Sequence, residues 1–135
     1  MLKKLLTVGL LTLTILSCKQ DKSENKADNP LDGGRYFIEN YMKGDFKAAK
    51  NYVLNTPENL TYFDSLSQQY FGLEKEGRMQ LRLASIQINE VSTIDSALTI
   101  INYQNSFDKI VHKLRVVATP DGWKVDLKNS YTPKL

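Results

Sequence analysis

The sequence predicts an α+β domain in which N-terminal helices pack on a curved antiparallel sheet of about four strands. Two observations predict it. Apolar residues recur at helical spacing from Leu31 to Leu73, whereas in the second half they alternate with polar residues between turn signals. Helices grouped ahead of a meander of strands place their apolar stripes on one face of the sheet.

Each element has its own signal. Asn29-Pro30 reads as an N-cap followed by proline at the first helical position, and Leu31, Phe37, Ile38, Tyr41 and Met42 then fall near one face. Gly44 stops this helix. Gly33 and Gly34 weaken it by up to about 1 kcal/mol each, unless another element packs closely there. Asp45 caps a short second helix with Phe46, Ala49, Tyr52 and Val53 as its buried stripe. Thr56-Pro57-Glu58 opens a third by the same logic, and Leu60, Phe63, Leu66, Tyr70 and Leu73 carry its apolar face as far as Gly77.

From Arg78 the period is read as alternating, with Ala84, Ile86 and Ile88 opposed to Ser85, Gln87 and Asn89. Ala97 to Gln104 is apolar on both faces, as in a central strand. Ile110, His112, Leu114 and Val116 are predicted to point inward, Lys113 and Arg115 outward. Thr119-Pro120-Asp121-Gly122 is a turn that delivers Trp123, Val125 and Leu127 inward and Lys124, Asp126 and Lys128 to solvent.

The N-terminus reads as an address. Lys3 and Lys4 precede a short apolar run, Leu5 to Leu16, within the roughly 7–15 residues of a secretory signal and short of the about 20 that span a bilayer. Ile15-Leu16-Ser17-Cys18 matches the bacterial lipoprotein-peptidase pattern. Residues 1–17 are therefore expected to be a signal peptide and Cys18 the lipidated N-terminus, anchored by two or three acyl chains to the cell envelope, the outer membrane by preference. Residues 18–28 complete the anchor: Lys19 to Asp28 alternates charges with one small apolar residue, and is read as a disordered tether. Residues 29–135 form the single domain.

Composition narrows the partners. Cys18 is the only cysteine, so no intrachain disulfide forms. Loss of Lys3 and Lys4 with the signal leaves a nearly neutral chain, which argues against nucleic acid as a partner. A single histidine and a lipidated cysteine leave no usual metal site or nucleophile triad, and no phosphate-cradling glycine loop is present. No cofactor is expected.

The segments Tyr41 to Val53 (YMKGDFKAAKNYV) and Asp121 to Lys128 (DGWKVDLK) resemble a family of bacterial lipoproteins with a domain of unknown function once described as putative lumazine-binding. That family looks like a branch of the nuclear-transport-factor-two-like, cystatin-like cone superfamily, which also contains polyketide cyclases and ketosteroid isomerase. The matching positions, Gly44, Asp45, Phe46, Ala49, Tyr52, Gly122, Trp123 and Val125, are caps, turns and core. No catalytic role transfers with them.

The resemblance implies a cavity between helices and sheet. Residues whose phase points into it are Phe63, Tyr70, Ile88, Glu90, His112 and Leu114. A Glu90-His112 pair in an apolar cavity suits general-base chemistry; the plainer reading is a core histidine and a solvated strand end. The expected function is a lipid-anchored, non-enzymatic binding module holding a small apolar ligand. The alternative is an interaction or accessory module of the envelope, with an envelope protein or a second copy of the chain as partner, and an isomerase- or cyclase-type enzyme stands behind both. An empty cavity above about 300 Å³ favours the ligand, and one filled by its own aromatics beside an exposed apolar patch favours the protein partner. Asp64-Ser65-Leu66 and Asp95-Ser96-Ala97 match a short acceptor for O-linked glycans, and Asn59-Leu60-Thr61 an N-linked one.

Overall fold

The computed structural model describes residues 26–130. The chain runs α1 (Pro30–Lys43), α2 (Phe46–Lys50), α3 (Pro57–Gly72), α4 (Lys75–Leu83), β1 (Ile86–Asp95), β2 (Leu98–Asn105), β3 (His112–Thr119) and β4 (Gly122–Val125), followed by a 3₁₀ turn at Leu127–Asn129. The caps are those the sequence predicts. Asn29 Oδ1 accepts from the Asp32 amide at 2.8 Å, Asp45 Oδ1 from Ala48 at 3.0 Å, and Thr56 Oγ1 from Asn59 at 3.3 Å. Gly44 ends α1 in the left-handed region at φ 76°.

The third helix is shorter than predicted, and a fourth follows it. At Leu73 the backbone turns extended, with ψ 146°, and α4 begins two residues later. Arg78 is helical rather than the start of an alternating run. Its Nη1 donates to the Phe71 carbonyl at 3.3 Å and to the Leu73 carbonyl, capping from outside the acceptors that α3 leaves open.

The strands form one antiparallel meander in the order β1-β2-β3-β4, so the fold is α+β with the helices ahead of a curved, unclosed sheet. Thr99 pairs with Val116, Ile101 with Leu114 and Tyr103 with His112, and all six side chains are buried under the helices. The glycines of α1 allow that packing. A Cβ on Gly33 would stand 2.8 Å from the Trp123 carbonyl oxygen, and one on Gly34 would stand 2.6 Å from Ile101 Cδ1. The helix therefore lies at backbone distance from β4 and seats the Ile101 side chain of β2 against Gly34, which answers the weakness the two glycines carry in the sequence. The free edge of β4 is covered by a parallel bridge to Val53, with the Val125 amide donating to the Tyr52 carbonyl at 2.7 Å; β1 forms the other edge.

Several inward and outward assignments change. Ile110 lies before β3, in the hairpin, and is 45% exposed. Trp123 is half-buried and packs on the core. Asp126 is buried because the start of α3 and the 3₁₀ turn close over it. Ala27, read as tether, is buried, and its carbonyl accepts from the Trp123 amide at 3.0 Å. Among the described residues no helix is long and apolar enough to cross a membrane.

Candidate functional site

Four of the six predicted cavity residues are fully packed. Phe63 and Tyr70 join a ring cluster centred on Phe46, whose centroid lies 5.7 Å from Phe63, 5.3 Å from Tyr70 and 5.8 Å from Tyr41. Tyr70 also seats against Gly44, where a Cβ would stand 2.6 Å from its hydroxyl. Leu114 is buried on β3, and His112 stacks on the Tyr103 ring at 4.7 Å and 18°. Ile88 is half-buried against the core.

Glu90 does not meet His112. A register shift between Ile88 and Glu90 breaks the alternation of β1. The Glu90 carboxylate is exposed and accepts from Ser92 Oγ at 2.8 Å and Asn102 Nδ2 at 3.2 Å. His112 Nε2 instead lies 2.8 Å from Asp108 Oδ2, a carboxylate in the β2–β3 hairpin whose other oxygen accepts from the Ile110 amide at 2.9 Å. Asn105 shapes that hairpin by accepting from the amides of Phe107 and Asp108, both at 3.0 Å, and Lys109 takes φ 59°.

Tyr41 and Tyr103 complete this buried polar cluster. Burial pushes the Tyr41 hydroxyl far above the usual tyrosine range, with Asp108 and Tyr70 adding to the effect. Burial does the same to Tyr103, with Tyr41 and Asp108 adding. Both phenols are therefore held neutral. His112 Nδ1 is buried and has no hydrogen-bond partner among the described residues. The cluster has the donors and acceptors for proton transfer, but His112 is 4% exposed, and none of His112, Asp108, Tyr41 and Tyr103 lines a described cleft, although Asn105 lines a small one at the hairpin.

The largest described cleft lies elsewhere. It measures about 560 Å³ and opens to solvent between the chain entering the domain, the segment after α2 and the β3–β4 turn. Val53, Leu60 and Pro120 give it an apolar lining, and Lys26, Lys50 and Lys124 bring three ammonium groups, with Asp121 the one carboxylate. Lys124 Nζ donates to the Asn51 carbonyl. None of the three lysines pairs with a carboxylate among the described residues. Gly122 places the cleft beside the chain entering the domain: it takes φ 94°, and a Cβ there would stand 2.7 Å from the Ala27 carbonyl oxygen and 2.9 Å from Lys26 Cγ. Two smaller clefts, about 330 and 280 Å³, lie by the β2–β3 hairpin and between α1 and α4.

Sequence reasoning did not mark this cleft. The outward phase of Lys124 and the turn at Pro120-Asp121 were legible, but Lys26 and Lys50 join them only through the Ala27–Trp123 hydrogen bond and the Val53–Val125 bridge. Asp108 was missed because it lies in a loop. Of the modification motifs, Ser65 and Ser96 are exposed, whereas Asn59 is 2% exposed with its amide engaged at both ends. Cys18 and the signal lie outside the described residues. Compared with protein-family models, with curated proteins and with solved structures, the chain has no match.

Proposed function

We propose that the chain is a membrane-anchored, extracytoplasmic binding module of the nuclear-transport-factor-two-like kind, and that it binds at the cleft beside its tether rather than in the interior of the cone. The anchor is argued from the lipoprotein signal ending at Cys18, and the family from Tyr41–Val53 and Asp121–Lys128. One observation carries the choice of site. Phe63 and Tyr70 pack on Phe46, His112 stacks on Tyr103 and Leu114 is buried, while an open cleft of about 560 Å³ combines an apolar lining with three lysines and one aspartate.

A protein partner along the edge of β1 is the second reading. Val91 and Ile94 are 42% and 60% exposed on that edge strand, and Met79 and Leu83 stand one turn apart, exposed, on the helix that feeds it. Photo-cross-linking in cells separates the two. A benzophenone side chain at Asn55, beside the cleft, is expected to give an adduct, and one at Ile94 none. An adduct only from position 94 would move the site to β1, and adducts from neither would remove both.

A further inference from the structure

We infer that the cleft of Lys26, Lys50 and Lys124 holds the phosphate-bearing headgroup of an anionic membrane lipid, so that the domain lies down on the membrane in which it is anchored. This rests on the cleft being the binding site of the module. The chemistry of the lining fits an amphiphilic anion. Three lysines without a carboxylate partner among the described residues line the cleft against one aspartate, Lys124 also donating to the Asn51 carbonyl, and Val53, Leu60 and Pro120 offer an apolar surface for the first carbons of an acyl chain. Lysine serves such a site as a hydrated point charge that tolerates varied headgroup geometry. A neutral apolar ligand would leave these charges unused, and a protein partner would have to desolvate them.

Position favours the membrane over a free anion. The backbone at Ala27 is tied to Trp123, and Lys26 belongs to the lining itself. From Lys26 the chain is eight residues from Cys18, at most about 29 Å fully extended. An anchored chain therefore keeps the cleft within reach of headgroups at an effective concentration no free small anion matches. The outer face of the sheet presents Lys113 as well, but it lies on β3 apart from the cleft, and it serves as the control.

The test uses the full chain in neutral detergent with three probes: dihexanoyl phosphatidylglycerol, dihexanoyl phosphatidylcholine and inorganic phosphate. Saturable binding is expected for the phosphatidylglycerol, with affinity falling about fivefold for each of Lys26→Gln and Lys50→Gln, steeply with added salt, and not at all for Lys113→Gln. Both variants alter exposed side chains, and the unchanged far-ultraviolet circular dichroism of each confirms its fold. Inorganic phosphate binding as tightly as the lipid, lysine-dependently, would overturn the lipid assignment and leave the cleft as the site. Equal binding of both lipids would overturn the charge argument. Phosphatidylglycerol binding that neither variant weakens would overturn the cleft itself.

Discussion

Asn59, at the start of α3, donates its side-chain amide to Asp126 Oδ1 at 3.2 Å, across 67 residues of sequence. The same amide group donates to Thr56 Oγ1 at 2.9 Å, and its carbonyl oxygen accepts from the Lys128 amide at 3.0 Å. The second Asp126 oxygen takes Asn129 Nδ2 at 2.8 Å and lies 3.2 Å from Arg115 Nε. One buried amide thus closes α3 onto the end of the sheet. Asn59→Ala should lower stability by about 2–3 kcal/mol, since it strips a donor from a buried carboxylate. Denaturant midpoints of the two proteins check this, and near coincidence would mean that water replaces the amide. The same burial predicts that intact protein carries no glycan on Asn59, which peptide mass spectrometry reads directly.

The glycines separate packing from propensity. Gly33→Ala would press a methyl group on the Trp123 backbone at 2.8 Å, a contact that neither partner relieves by rotating. A loss of about 1–3 kcal/mol is expected. Gly72→Ala, in the last position of α3 with nothing within 4 Å, should gain up to about 1 kcal/mol. Thermal melts of the pair should move in opposite directions.

High pH should unfold the domain through its buried phenols. Both folded and unfolded chains hold these protons below the ordinary tyrosine value of about 10. Above it the unfolded chain releases protons that Tyr41 and Tyr103 keep when folded, so the unfolding free energy falls as pH rises. Ionisation of these two, followed by tyrosinate absorbance, should coincide with loss of structure. Tyr103→Phe should flatten the decline. A smooth titration of all seven tyrosines in a chain that stays folded would contradict the burial of the pair.

What the sequence disclosed and what it withheld follow one division. Caps and turns are local: Asn29, Asp45, Thr56 with Pro57, and the turn before Trp123 could all be read from neighbouring residues. The inward phase of His112, Leu114 and Val116 on β3 was equally plain, whereas β2 read as apolar on both faces and the burial of Thr99, Ile101 and Tyr103 on one of them shows only in the fold. The break at Leu73 was hidden, since the apolar stripe of α3 runs through it and the Arg78 side chain that satisfies the helix end acts from the next helix. A bulge leaves no mark on composition, so Glu90 was assigned the phase of Ile88. The partner of His112 and the three lysines of the cleft depend on which loops meet, and only closure of the hairpin and docking of Ala27 on β4 brings them together.

The proposed anchor is argued from the sequence and has its own test. Metabolic labelling with a fatty acid should mark the wild-type chain and leave Cys18→Ala unlabelled, a prediction motivated by Ile15-Leu16-Ser17-Cys18 behind a short apolar run. Equal labelling would contradict lipidation at this residue.

The most direct test of the cleft as the working face is a lysine footprint of the anchored protein. Full-length protein reconstituted into vesicles, one third phosphatidylglycerol in phosphatidylcholine, is acetylated briefly and digested for mass spectrometry, beside the same protein in neutral detergent. Lys26, Lys50 and Lys124 should lose most of their labelling on the vesicles, while Lys75 and Lys113, exposed on α4 and β3, keep theirs. Equal labelling of all five lysines in both states, or protection of Lys75 and Lys113 alone, would contradict the account.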